Sequence, residues 1–184
     1  MAPSHTRAPI IWVENIDSTN DGLRRRLSEF DNLSILAAKS QSAGRGQGDH
    51  KWHSAPGANL TFSILLRFDN LAASRLQVIN DYITGVLLEF LALEGVQAWV
   101  KPPNDIWVGD RKISGILIEN ILDGKRVAQT IAGIGLNLNQ TVWPADLPNP
   151  VSLRQLTGKE YPPGQTLERI SDLCKKNWNM FNRP

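Results

Sequence analysis

Arg45 stands in a glycine-rich stretch, Gln41-Ser-Ala-Gly-Arg-Gly-Gln-Gly-Asp-His-Lys-Trp52, and Lys112 follows a second turn-rich stretch, Lys101-Pro-Pro-Asn-Asp105. Both stretches run into strand-like sequence. Gly44, Gly46 and Gly48 permit positive φ and close backbone approach, and successive N–H groups in such a run can form an anion-binding nest. Arg45 adds a planar, charged fork suited to carboxylate or phosphate. Lys112 opens the run Lys112-Ile-Ser-Gly-Ile-Leu-Ile-Glu119, in which Gly115 marks a close backbone or ligand approach. The chemistry these residues favour is the binding of an anion by fixed cations and N–H donors. Taken singly, each feature has a plainer reading. The glycine loop is equally a flexible surface loop, Lys112 an exposed edge residue, and Asn104 and Asp105 turn formers.

Other chemistries are excluded more firmly. The glycine loop lacks the Gly-Lys-Ser/Thr of a Walker A loop and is not a dinucleotide G-x-G-x-x-G. His5, His50 and His53 have no cysteine or carboxylate partners at metal-ligand spacing, so no metal site is expected. No Gly-x-Ser-x-Gly elbow or reactive-cysteine signature is present, and the single cysteine, Cys174, excludes an internal disulfide. Among 184 residues, 20 Lys and Arg face 18 Asp and Glu, a net charge of +2 that predicts neither a DNA nor a membrane partner. Arg24-Arg25-Arg26 reads as the solvated face of a helix. The apolar runs are too short to span a bilayer. Residues 1–9 have no apolar segment of a secretory signal. A cytoplasmic location is the expectation.

Those chemical residues must be carried by a scaffold that the hydrophobic periodicity outlines. A strand at residues 10–13 precedes a helix with Asp17 or Ser18 as N-cap and Leu23, Leu27 and Phe30 as its apolar stripe. A second strand, residues 34–38, feeds the glycine loop. Leu60, Phe62, Ile64, Leu66 and Phe68 then alternate with Thr61, Ser63 and Arg67, a period-2 signal. Residues 71–94 have helical spacing closed by Gly95. Strands follow at 96–100, 106–108, 113–119 and 126–138, with turns at Gly109-Asp110 and Asp123-Gly124. Alternation in the third of these places Lys112, Ser114, Ile116 and Ile118 on one face and Gly115, Leu117 and Glu119 on the other. A loop with Pro144, Pro148 and Pro150 leads to a short helix at 151–156 and a final helix through Leu167, Ile170, Cys174 and Trp178. Trp12, Trp99 and Trp178 are expected as core or interface anchors, and Trp52 and Trp143 in loops, where stacking on a ligand is a role open to them. The order predicts an α+β fold, a largely antiparallel central sheet with packed helices.

Taken together, the chain resembles the catalytic domain of biotin protein ligases. The landmarks that carry the resemblance occur in order over about residues 10–156: Ser18-Thr19-Asn20; Gly44-Arg45-Gly46 with Lys51-Trp52; Lys101-Pro102-Pro103-Asn104-Asp105; the strand from Lys112 to Glu119; and Gly133-Ile134-Gly135-Leu136-Asn137. The resemblance implies the fold shared with class II aminoacyl-tRNA synthetases. It also implies a two-step reaction: biotin and ATP, with Mg²⁺, give biotinyl-5′-AMP, and the adenylate acylates a lysine of a biotin carboxyl carrier protein. Carried over, Lys112, Arg45 and Asp105 are the catalytic residues. Ser18, Thr19, Asn20, Gln41, Gly44, Gly46, Gln47, Gly115 and Gly133 join Arg45 and Lys112 in binding the substrate. Trp52, Asn104 and Asn137 lie near the nucleotide.

The chain departs from the family pattern in three respects. Pro102 replaces the usual tryptophan, Gln47 replaces a second loop arginine, and the small C-terminal β domain of many members is not evident, so 1–184 is expected as a single catalytic domain. A preceding DNA-binding domain is likewise not expected, and homodimerisation is left open. Two rivals remain: a biotin-binding relative with impaired catalysis, and a lipoate or octanoyl ligase of the same superfamily, whose own landmarks are not evident.

Overall fold

The computed structural model describes residues 9–147 and 149–182; the readings that fall on residues 1–8, with His5, and on Pro148 lie outside them. Strands β1 (Ile10–Ile16), β2 (Ile35–Gln41), β3 (Leu60–Ala72), β4 (Trp99–Lys101), β5 (Asp105–Val108), β6 (Arg111–Asp123) and β7 (Arg126–Leu136) form one sheet in the order β1-β2-β3-β7-β6-β5-β4. Only the β1–β2 pair is parallel. Helices α1 (Thr19–Arg25), α2 (Gln77–Leu93), α3 (Leu153–Thr157) and α4 (Pro163–Asn177) complete the α+β fold expected from the sequence.

The alternation in β3 decides which helix covers which face. Leu60, Phe62, Ile64 and Leu66 join Ile83, Leu87, Phe90 and Leu167 in the main core beneath α2 and α4, whereas Leu65 belongs to a smaller cluster with Leu23, Phe30, Leu36 and Ile131 beneath α1. The short α1 covers β2, β3 and β7. It leaves the β6–β5–β4 half of its face open.

Helix α2 forms because its apolar residues recur at helical spacing, and it stops through a left-handed Gly95 (φ 76°). Gly95 N–H donates to Ala92 O and Val96 N–H to Leu91 O, the paired bonds of a Schellman cap. The helix starts later than the sequence suggests, because β3 runs on past a bulge and Leu71 pairs with Val127. Ala73–Leu93 is long and apolar enough by composition to cross a membrane, with mean hydropathy 1.4, which differs from the expectation that all such runs are too short. Its apolarity has a packing cause: Ile79, Tyr82, Ile83, Val86, Leu87 and Phe90 are all buried in the core. Trp178 packs against that core, whereas Trp12 and Trp99, on the outermost strands, are 37% and 46% exposed and so lie outside the core.

The hairpins follow the turn chemistry. Gly109 and Gly124 each have φ 58° at the first position of a two-residue connection, where a residue with a side chain would be strained. Two core substitutions should separate core from surface. Phe90→Ala, at a fully buried side chain, should cost about 3–5 kcal/mol in urea unfolding. Leu93→Ala, three residues on but 64% exposed, should stay within about 0.5 kcal/mol.

Candidate functional site

The open half of the α1 face has a floor almost free of side chains. Pairing sets Thr61 opposite Gly135 and Gly135 opposite Gly115, and in the next row Ser63 opposite Gly133 and Gly133 opposite Leu117. These are the positions that alternate with the core residues of β3, β7 and β6. A Cβ built on Gly135 would lie 2.0 Å from the Trp52 indole, one on Gly115 2.9 Å from it, and one on Gly133 2.2 Å from Asn20 Oδ1. Glycine is required because Trp52 lies flat on the sheet and Asn20 reaches across it. Both Gly115 and Gly133 nonetheless line the cavity that remains beside these side chains.

At one end of this floor the start of α1 supplies polar groups. Ser18 is the N-cap residue, but its side chain makes no capping bond. Gln41 at the end of β2 does that work, its Oε1 accepting from Thr19 N–H at 2.8 Å. The Ser18 hydroxyl and the Gln41 amide nitrogen are thereby left to face the cavity, which both residues line. Asn20 is fully engaged: Nδ2 donates to Glu119 at 2.8 Å and to Leu117 O, and Oδ1 accepts from the buried Ser63 hydroxyl. It shapes the cavity and has no free group to offer.

Arg45 also points into this network. Its guanidinium reaches Asp21 at 2.6 Å and Glu119 at 3.0 Å, and Arg24 joins Glu119 at 3.2 Å. Burial alone would raise the Glu119 carboxyl, but the Asn20 hydrogen bond and the Arg45 and Arg24 charges outweigh it and hold it below the ordinary carboxylate range. The glycine loop folds back on itself through Gly46 N–H to His50 O and Trp52 N–H to Gly44 O. Of its three glycines only Gly48 has positive φ. Gly44 is needed because the Trp52 carbonyl lies 2.5 Å from where its Cβ would be. The loop is thus a short hairpin whose Gly46 N–H is already bonded, in place of an open nest.

Lys112 is aimed by a bulge. Ile106 pairs with Ser114 and Trp107 with Lys112, so Ile113 is an extra residue. Simple alternation would set Lys112 on the face opposite Gly115. The bulge brings it onto the same side, its Nζ 3.3 Å from a Cβ built on Gly115. There it pairs with Asp105 at 2.8 Å, and its Nζ lies 5.9 Å from the Trp52 ring centroid.

Two adjoining cavities of about 240 and 520 Å³ share His50, Lys51, Trp52, Asp105 and Lys112. The first is the glycine floor with Ser18, Thr19, Gln41, Arg45, Gln47 and Asn104 around it. The second is walled by Lys101, Trp107, Trp143 and Asn137. Trp52 Nε1 is buried against Gly135 without a hydrogen-bond partner, a state that costs about 1–3 kcal/mol. Asn137, by contrast, spends its amide donors on Val151 O and Lys112 O, tying β6 to the segment before α3. Asn104 uses its amide on Ile116 O. Among the described residues no group of three or more His, Cys, Asp or Glu is placed to hold a metal ion. Sequence reasoning missed Trp107 as a site residue, although it lies two residues from Asp105 on the same face of β5; Lys101 stands in the Lys101–Asp105 landmark without a role, and Trp143 reads as a loop tryptophan.

Comparison with known proteins adds an independent line. A model of the Biotin/lipoate A/B protein ligase family matches residues 12–137. The chain is 39% identical over 127 residues to the bifunctional ligase/repressor BirA of Escherichia coli, a match covering 67% of this chain and 38% of that protein. It is 28% identical over 162 residues to the biotin–[acetyl-CoA-carboxylase] ligase of Paracoccus denitrificans, covering 84% of this chain and 67% of that protein. Among solved structures, the biotin protein ligase from Aquifex aeolicus in complex with biotin and ATP superposes with a TM-score of 0.71 at 30% identity, covering 94% of this chain and 71% of that chain. The Leishmania major enzyme in complex with biotinyl-5-AMP gives 0.68 at 25%, covering 94% and 79%. The chain spans 38% to 46% of the length of the BirA relatives it matches.

Two predictions test this geometry. Gly135→Ala should expel the Trp52 indole and change the near-UV circular dichroism, whereas Gly85→Ala, where a Cβ meets nothing within 4 Å, should stabilise helix α2 by up to about 1 kcal/mol. Glu119 makes acid stability testable. Its folded value lies below the ordinary 4.5, so its contribution is complete above that pH and is lost as pH falls through the folded value. Glu119→Gln should therefore cost about 1–3 kcal/mol at neutral pH, and the gap in Tm to the unaltered chain should close on acidification. A gap constant from pH 7 downward would contradict the linkage.

Proposed function

Because this chain belongs to the Biotin/lipoate A/B protein ligase family, we propose that it is an ATP-dependent biotin protein ligase. It joins biotin to the AMP moiety of ATP with release of pyrophosphate, and then passes the biotinyl group to the amine of a lysine of a biotin carboxyl carrier protein, AMP leaving as the amide forms and the amine losing a proton. The observation that supports this most is the position of Lys112, at the junction of two cavities and held on Asp105. A site that joins two small molecules needs two chambers and a cation where they meet.

In the first cavity the free Ser18 hydroxyl and Gln41 amide are placed to receive the ureido ring, while the apolar chain of biotin runs over the glycine floor. The carboxylate then reaches Lys112. Nucleotide occupies the second cavity, where the aromatic walls Trp107 and Trp143 suit a base. A carboxylate oxygen bonds to the α-phosphorus as the bond to the bridging oxygen breaks, and pyrophosphate carries the electron pair away. No enzyme nucleophile takes part. The gain comes from alignment, worth ~7–11 kcal/mol in favourable cases, and from Lys112 facing the charge that builds at the phosphorus. Asp105, released when Lys112 turns to the phosphate, is then positioned to receive the ammonium of the acceptor lysine. ATP enters as its Mg²⁺ complex, the ion held chiefly by the phosphates. The setting is the cytoplasm, where ATP and the carrier protein are available.

The test is biotin-dependent exchange of labelled pyrophosphate into ATP by the 184-residue chain, with lipoate as control. Exchange with biotin alone is the expected result; none, with biotin still bound, would leave an inactive binding relative. Lys112→Ala should lower exchange by about 10²–10³ without changing Tm, and full exchange in that variant would remove Lys112 from the reaction.

A further inference from the structure

Lys112 stands where the sheet changes partners. Ser114 pairs with Leu136, the last residue of β7, and Asn137 N–H still donates to Ile113 O at 2.9 Å. At Lys112 the place of β7 is taken by residues 149–151, which the chain reaches only after the loop that carries Trp143. Lys112 N–H donates to Asn149 O at 2.8 Å and Val151 N–H to Lys112 O at 3.0 Å, a single parallel bridge with Pro150 opposite Lys112. Both bonds come from the neighbours of Pro150, so its missing N–H costs the bridge nothing. Two carboxamides close the junction. Asn137, 3% exposed, donates to Lys112 O at 3.3 Å and to Val151 O at 3.0 Å. Asn149 has φ 46°, and its Nδ2 donates to Asp110 O at 3.4 Å, on the turn just before Lys112. Asparagine is one of the few residues with a side chain that adopt this left-handed conformation readily.

We infer that Asn149 and Asn137 are positioning residues for the adenylation step, which hold the main chain of Lys112 at the bulge and so keep its ammonium on Asp105 where the two cavities meet. The inference rests on the ligase reading above. A bulge needs such a support, because it leaves an extra residue, here Ile113, unpaired and interrupts the ladder on the β5 side. Residues 149–151 supply the missing restraint from the other side of β6. The left-handed turn at Asn149 aims its carbonyl at Lys112 N–H, so the backbone conformation carries the effect more than the side chain does. Asn137 spends its amide donors on the same junction, and therefore acts through Lys112. The stake is geometric: a shift of ~1 Å at a reacting group costs on the order of 10²-fold in rate.

Valine is strained at φ 46° and glycine is free there, so two substitutions at one position separate aim from bulk. In the 184-residue chain, Asn149→Val should lower the single-turnover rate of biotinyl-AMP formation at saturating biotin and ATP by about 10- to 100-fold. The biotin Kd from calorimetry should stay unchanged, and Asn149→Gly should keep the full rate. Asn137→Ala should behave as Asn149→Val does, and stands in for it if the valine variant does not fold. Neither should slow a Lys112→Ala chain further, because losses that act through one group do not add. A second readout needs no turnover: acetylation of Lys112 by acetic anhydride, followed by mass spectrometry. It should quicken about two- to fivefold in Asn149→Val and Asn137→Ala, as for release from an ion pair, but not in Asn149→Gly. The inference is overturned if Asn149→Gly loses as much rate as Asn149→Val, if the losses multiply with Lys112→Ala, or if acetylation is the same in every variant. Acetylation that responds as stated, in a chain that forms no biotinyl-AMP, would defeat the ligase reading and keep the support of Lys112.

Discussion

The register of β3, β7 and β6 is the constraint on which the site depends. It brings Gly115 and Gly135 side by side in one row, with Gly133 in the next. A slip of one residue would send these glycines into the core and turn Ile134 and Leu136, both buried, towards the cavity. The same apolar residues that secure the register by burial thus hold the floor open on the other face. Trp52 and Asn20 then fill part of that floor from above, and the remaining space becomes a cavity lined largely by backbone.

Above the rigid floor lies a lid of different strength. The glycine loop is joined to α1 and β6 through Arg45, Asp21 and Glu119, with Arg24 and Asn20 converging on the same carboxylate. The Arg45–Asp21 pair is half-exposed and worth only about 0.2–1 kcal/mol, whereas Glu119 is more deeply set and also accepts from the Asn20 amide. Cys174 takes no part in this chemistry: burial pushes its thiol up to about 12, which leaves it unreactive on the buried face of α4.

The β6 bulge links these two levels. Without Ile113 as an extra residue, Lys112 would face the core side and Asp105 would lose its partner. With it, Lys112 stands where both cavities meet. Bulges bend a strand and re-aim a side chain, and here the bulge turns the residue on which the proposed chemistry depends.

The seven-strand sheet, its helices and the two turn glycines were readable from local sequence, because alternation, helical spacing and turn chemistry act over a few residues. So were the stretches that line the cavities, since Ser18, Gln41, the glycine loop, Asp105 and Lys112 lie at the ends of those elements. Three things were decided only by tertiary contact. The face of Lys112 depends on which residue of β5 it pairs with, and a bulge leaves no mark in the period of one strand. The use of Arg45 depends on Asp21 and Glu119, which arrive from α1 and β6. The purpose of Gly133 and Gly135 depends on Asn20 and Trp52, remote in the chain and brought over the floor by the fold. Short-range patterns specify which elements form; which free charge faces a ligand is settled by the partners that distant segments bring.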